Sequence, residues 1–171
     1  MAVPNNVDAI AQYLVSIGAT GGDLLTSDEE EPGFLVSPWI TYTLGDDEQP
    51  DGNFLLRLRY APDSGVFQVQ FWGRDFGEEW IGTTKHVFVS LLGNRINNKL
   101  NVGSLWLDLD EGTVALVSSL IIPEGGIAAD AIKANVDALI SVLEQYYPAL
   151  RAYIESSGDQ GDYARALAMI G

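Results

Sequence analysis

The stretch NFLLRLRYAPDSGVFQVQFW, residues 53–72, decides the fold. In its first part Phe54, Leu56, Leu58 and Tyr60 alternate with Leu55, Arg57 and Arg59. In its last part Phe67, Val69 and Phe71 alternate with Val66, Gln68, Gln70 and Trp72. A period of two with one apolar phase marks antiparallel strands packed on one side only. The intervening APDSG has the composition of a short hairpin loop.

Upstream, FLVSPWITYTL (34–44) alternates in the same way, and Pro38, which has no N–H for a ladder, predicts an edge or bulged strand. GDDEQPDG reads as a long turn and TSDEEEPG as a solvated acidic linker. Residues 5–18 carry Val7, Ile10, Ala11, Leu14 and Ile17 at helical spacing, with Asn5 or Asn6 as N-cap and Gly18 and the Gly21–Gly22 pair as the stop.

Downstream, GRDFGEEWIG (73–82) is a glycine-punctuated, aromatic connection. TTKHVFVSLLGNRINNKL then has helical spacing, with Thr83 or Thr84 as cap and Gly93 as a weak point. Two strands, 103–109 and 112–122, are joined by an Asp110-Glu111-Gly112 hairpin. A long helix over 128–154 follows, in which Pro148 predicts a kink or split. The expected order is α-β-β-β-α-β-β-α: an α+β fold, a five-stranded antiparallel sheet with helices on one face. Residues 1–156 form the single domain, and 157–171 a flexible or short-helical tail.

The chain has 171 residues, 47% of them hydrophobic, enough for one domain with a real core. It has no cysteine, which removes disulfides, thiolate catalysis and zinc-thiolate sites. Net charge is −15, and residues 1–56 contain ten acids and no Lys or Arg. That field disfavours nucleic acid and anionic membrane surfaces as partners. The N-terminal stretch lacks the basic residues and apolar core of a secretory signal, and no apolar run is long enough to span a bilayer. The expectation is a soluble, cytoplasmic protein.

Residues 91–103, LLGNRINNKLNVG, hold four asparagines: Asn94, Asn97, Asn98 and Asn101. An asparagine-punctuated helix end runs into a glycine turn, then GSLWLDL, DEG, an apolar strand and a long helix. This pattern resembles the YbjN-like family of small bacterial proteins. The resemblance implies a fold similar to type III secretion chaperones and a role as regulator or chaperone-like protein without a shared catalytic activity. Secretion chaperones of that fold are small acidic dimers that wrap an extended client, so the resemblance also implies a protein or peptide client and a homodimer.

Four groups of residues could carry chemistry. The asparagines suit a helix terminus with a hydrogen-bonded anchor to the next strand, because Asn amides serve local backbone there. The competing reading gives Asn94 and Asn98, which share a helix face at i, i+4, to a small-molecule pocket between sheet and helices. His86 is the only histidine, and no G-x-S-x-G elbow accompanies it. The acidic clusters lack the spacing of a calcium loop, and no phosphate loop or dinucleotide fingerprint is present, so no metal or cofactor is expected.

The tryptophans say more. Trp39, Trp72 and Trp106 fall on the less apolar phase of their strands, among Arg57, Gln68, Gln70 and Thr41. A sheet face mixing indoles with Arg and Gln resembles an interface more than a core. The alternatives are cover by the terminal segment, cover by the connection bearing Phe76 and Trp80, and burial in a homodimer. The reading is therefore a non-enzymatic chaperone-like or adaptor protein that docks a partner on Trp39, Arg57, Gln70, Trp72 and Trp106, or adds a strand at a sheet edge. The runner-up is a regulatory domain binding a small molecule near Asn94 and Asn98.

Overall fold

The computed structural model describes residues 6–20, 24–46, 49–73, 85–108 and 113–171. Its elements are α1 (Asn6–Ser16), β1 (Thr26–Ser27), β2 (Leu35–Val36), β3 (Ile40–Asp46), β4 (Gln49–Ala61), β5 (Val66–Gly73), α2 (His86–Asn97), β6 (Ser104–Asp108), β7 (Thr113–Ile121), α3 (Ala129–Ile154) and α4 (Gln160–Ile170). The sheet is antiparallel and runs β1-β2-β4-β5-β7-β6, with β3 paired to β4 beside β2.

The sheet has seven strands, not the five expected. The single strand expected over 34–44 is two, β2 and β3, both paired to β4. The break is at Pro38, which has no N–H to give. Ser37 holds the ladder across it: its N–H donates to Leu58 O at 2.9 Å, and its Oγ accepts from Leu58 N at 3.0 Å. The long turn expected after Leu44 is mostly ladder, because β3 and β4 pair down to Asp46 and Gln49. The linker expected to be solvated contributes β1. Pro148 lies inside α3 without splitting it. The Asn5 and Thr83/Thr84 caps, the Gly21–Gly22 stop, the Asp110-Glu111-Gly112 hairpin and the connection with Phe76 and Trp80 lie outside the described residues.

The register puts the apolar phases on one face. Leu56, Phe71, Leu116 and Leu105 form one cross-strand row, and Leu58 and Val69 lie in the next. α1 and the first half of α3 cover this face through Ile10, Leu14, Ile132, Val136 and Leu139, all buried. A second cluster joins α2, β6, the end of α3 and α4 through Val89, Leu92, Ile96, Leu150, Tyr153 and Ile170. Each fully buried large aliphatic side chain contributes about 1.5–3 kcal/mol, so these two clusters supply the main favourable term in folding.

α2 sits close on β6 because of Gly93. A Cβ there would fall 2.6 Å from Leu107 Cδ1. The residue that looks like a weak point in the helix is what lets it approach the sheet.

α4 gives the terminal segment a definite place. Asp159 caps it in a reciprocal capping box with Asp162. The buried Asp162 carboxylate also accepts from Ser157 Oγ at 2.6 Å, from Gly158 N at 3.0 Å and from Arg165. Phe88, Tyr153 and Tyr163 meet with ring centroids 4.8–6.2 Å apart, tying α2, α3 and α4 together.

Candidate functional site

The opposite face of the sheet carries the other phase of every long strand. Its rows read Thr41–Leu55–Trp72–Ala115–Trp106, then Arg57–Gln70–Val117–Ser104, then Arg59–Gln68–Ser119. No helix among the described residues packs on it. α4 lies with α2 and α3, so the terminal segment does not cover it.

β5 and β6 are both antiparallel to β7 and hence parallel to each other. Trp72 Nε1 donates to Gln70 Oε1 at 3.3 Å, and Trp106 Nε1 donates to Ser104 Oγ at 3.0 Å. Each indole bonds to the side chain two residues before it, so both lean the same way. Between them lie Ala115 and Val117, which are buried although no helix among the described residues lies over this face. The indoles remain available outward: Trp106 is 58% exposed and Trp39 45%.

The acidic segment 28–31 forms a wall along one side. Asp28 accepts from Arg59 Nη2 at 2.9 Å and from Glu30 N at 3.1 Å, and Glu31 accepts from Arg59 at 2.5 Å. Arg59 also lies over the Phe34 ring, 4.4 Å from its centroid. Burial pushes the Asp28 carboxyl up. The Glu30 N–H, the Arg59 guanidinium and the nearby charge of Arg57 outweigh that and hold it below the usual carboxylate range. Side-chain amides continue the network: Arg59 and Gln70 both donate to Gln68 Oε1, each at 3.3 Å.

The result is a groove of about 520 Å³ in which all five residues expected on this face come together: Trp39, Arg57, Gln70, Trp72 and Trp106. Arg59, Gln68 and the wall residues Asp28, Glu30 and Glu31 join them. Arg59 and Gln68 were legible as members of the same strand phase. The wall was not, because its carboxylates reach Arg59 from 28 and 31 positions away in the chain.

The asparagines have a different role. Asn97 Oδ1 accepts from Leu105 N at 2.7 Å, and Asn97 Nδ2 donates to Leu105 O at 2.9 Å. Its amide thus bonds both backbone groups of Leu105 as a neighbouring strand would, at the outer edge of β6. Asn94, on α2, and Asn98, its C-cap, are both exposed. A cavity of about 570 Å³ does exist between helices and sheet, but α1, β3 and α3 line it, with Tyr13, Tyr42, Lys133 and Asp137, and neither Asn94 nor Asn98 is part of it. Burial, with help from the charge of Asp137, pushes the Tyr13 hydroxyl up to about 12. His86 opens α2. Among the described residues no cluster of His, Asp or Glu could hold a metal ion, and no helix is long and apolar enough to cross a membrane.

Comparison with solved structures finds similarity to a chain of the ExsC–ExsE complex, with 14% identity, a TM-score of 0.48, and coverage of 84% of this chain and 93% of that one. A chain of the HopA1–SchA chaperone–effector complex is similar at 14% identity and a TM-score of 0.42, with 87% and 92% covered. Comparison with curated proteins finds no match. The YbjN family model, described as "Putative bacterial sensory transduction regulator", matches residues 48–152. That span runs from the start of β4 almost to the end of α3 and takes in most of the sheet and four of the five groove residues, Arg57, Gln70, Trp72 and Trp106, together with the Asn97 anchor. On a match over more than half of its length, the chain belongs to the YbjN family.

Proposed function

We propose that the chain is a non-enzymatic protein-binding module, chaperone-like or adaptor-like, that seats an extended segment of a partner on the face formed by Trp39, Arg57, Gln70, Trp72 and Trp106. The observation that carries this is the sheet face that no helix among the described residues covers, where Trp106 and Trp39 are 58% and 45% exposed beside a groove of about 520 Å³. The Trp106 indole, held by Ser104 on its own strand, offers large, rigid contact area at small entropic cost. Strand addition at β6 is disfavoured, since Asn97 already occupies that edge at Leu105. The net charge of −15 disfavours nucleic acid and anionic membranes in the same role.

The test is quantitative affinity capture from native lysate with the native chain and with Trp72→Ala and Trp106→Ala variants of unchanged melting temperature. A stoichiometric protein lost in both variants supports the reading. A partner retained in both sinks it. Sedimentation of the free chain checks self-association: a dimer that Trp106→Glu dissociates would give this face to a second copy instead.

A second reading, regulation by a small molecule, is supported by the cavity of about 570 Å³ between α1, β3 and α3. It predicts a ligand-dependent rise in melting temperature that survives Trp106→Ala and is lost on filling the cavity with Ser16→Trp.

A further inference from the structure

The two arginines of the groove are treated differently by the rest of the chain. Arg59 is ion-paired: it bonds Asp28 and Glu31, donates to Gln68 and lies over Phe34, and only its Nε is left buried without a hydrogen-bond partner among the described residues. Arg57, two residues earlier on the same strand face, is half-buried and makes no ion pair among the described residues. Its Nε is buried without a hydrogen-bond partner there. What it has is the ring of Trp39, 4.8 Å from its guanidinium carbon.

That leaves the Arg57 guanidinium without a direct ion pair among the described residues. A guanidinium cannot shed its proton to escape desolvation. An aromatic face offsets only part of the loss. The nearest acid answers it only at a distance: Asp28 feels the charge of Arg57 but has one oxygen on the Glu30 N–H and the other on Arg59. The neighbouring amide is spent too, because Gln70 donates to Gln68 and accepts from Trp72. Arg57 is thus a cationic point in the groove with donors to offer. Its planar fork suits a carboxylate, which it can bind through two parallel hydrogen bonds.

Resting on the protein-binding reading above, we propose that the occupant of this groove is an extended polypeptide segment whose Asp or Glu side chain is received by Arg57, stacked on Trp39, with apolar or aromatic neighbours of that residue lying against Trp72 and Trp106. The field of the molecule narrows the segment further. At a net charge of −15, with Glu30 and Glu31 on the rim, a segment acidic along its length is repelled. The carboxylate therefore belongs in a segment otherwise neutral or basic, where the rim attracts the flanks while Arg57 takes the single acid. The same field excludes a polyanion such as nucleic acid from a site built around one cation.

A phage library of random dodecapeptides, selected against the native chain, supplies the probe. The expected winners carry one Asp or Glu beside an aromatic or aliphatic residue, and their binding is lost in Trp106→Ala. Changing that acid to its carboxamide should weaken binding to the native chain roughly tenfold or more, as loss of a charge-assisted bidentate pair does. The same change should make little difference to Arg57→Met. Arg57→Lys, which keeps charge and length but not the fork, should bind the acidic peptide more weakly than the native chain and guards against a folding defect in Arg57→Met. Winners without an acid, or an acid whose loss costs Arg57→Met as much as the native chain, overturn the role of Arg57. The protein-binding face survives that result as long as Trp106→Ala still abolishes binding. Winners indifferent to Trp106→Ala, or no enrichment at all, overturn both.

Discussion

Asn97 shows a side chain standing in for a strand. Both its amide atoms bond Leu105, so Asn97→Ala leaves one N–H and one C=O at the β6 edge without their partner. The expected cost is about 1–3 kcal/mol in urea unfolding, against less than about 0.5 kcal/mol for Asn94→Ala and Asn98→Ala, whose side chains face solvent. Equal effects from the three would sink this assignment. The sequence predicts the type of role, because asparagines at a helix end serve backbone. It does not single out Asn97 from its neighbours, because a shift of one residue in the helix end turns a different amide toward the strand. The Asp28–Arg59 pair is a second residue-scale case, and its sign with pH is definite. Asp28 titrates below the usual range in the folded chain, so its contribution is present above about pH 4 and is lost as pH falls through the lower folded value. Urea unfolding of the native chain and of Asp28→Asn should therefore differ most above pH 4 and converge as acid protonates the carboxyl. Divergence toward low pH would contradict it.

Among the elements, those with a long period were legible and those without one were not. β4 and β5 announce themselves through uninterrupted alternation in Phe54, Leu56, Leu58 and Phe67, Val69, Phe71. β1 and β2 have two residues each, too short for any period; β2 pairs with the edge that β4 offers, and β1 pairs with β2. The turn from α2 into β6 is where sequence and geometry constrain each other most tightly. Gly103 has φ +74°, and a Cβ there would fall 2.6 Å from Leu139 Cδ2 and 3.1 Å from the carbonyl oxygen of Val117. Gly103→Ala is expected to destabilise by about 1–3 kcal/mol in chemical denaturation, from the left-handed backbone and the approach to a carbonyl that cannot move aside. A neutral outcome would mean that the turn rearranges without cost. α4 depends on its first turn in a comparable way: Asp162→Ala removes a buried acceptor from the Ser157 hydroxyl and from the Gly158 N–H. Faster amide exchange confined to 160–170 is the expected signature.

At the scale of the whole molecule, the helices and the sheet divide the work. The helical side is closed by two apolar clusters, and the second depends on the last element of the chain. Ending the chain at Ser156 would strip Ala166 and Ile170 from that cluster and uncover Phe88 and Tyr153. A loss of about 3 kcal/mol or more is expected from the apolar area involved, seen as a lower melting temperature. A shortened chain that melts like the native one would reduce α4 to an appendage. The sheet side carries no helix among the described residues, and its aromatic residues are of a different kind from those of the helical side. Trp39, Trp72 and Trp106 all lie there, while the buried aromatic residues of the core are phenylalanines and tyrosines. The molecule therefore carries its own optical label on the surface assigned to binding. With the fourth tryptophan, Trp80, changed to Phe, intrinsic emission excited at the red edge of indole absorption will report whether that surface is wet or covered, and will stay nearly blind to loosening among the helices.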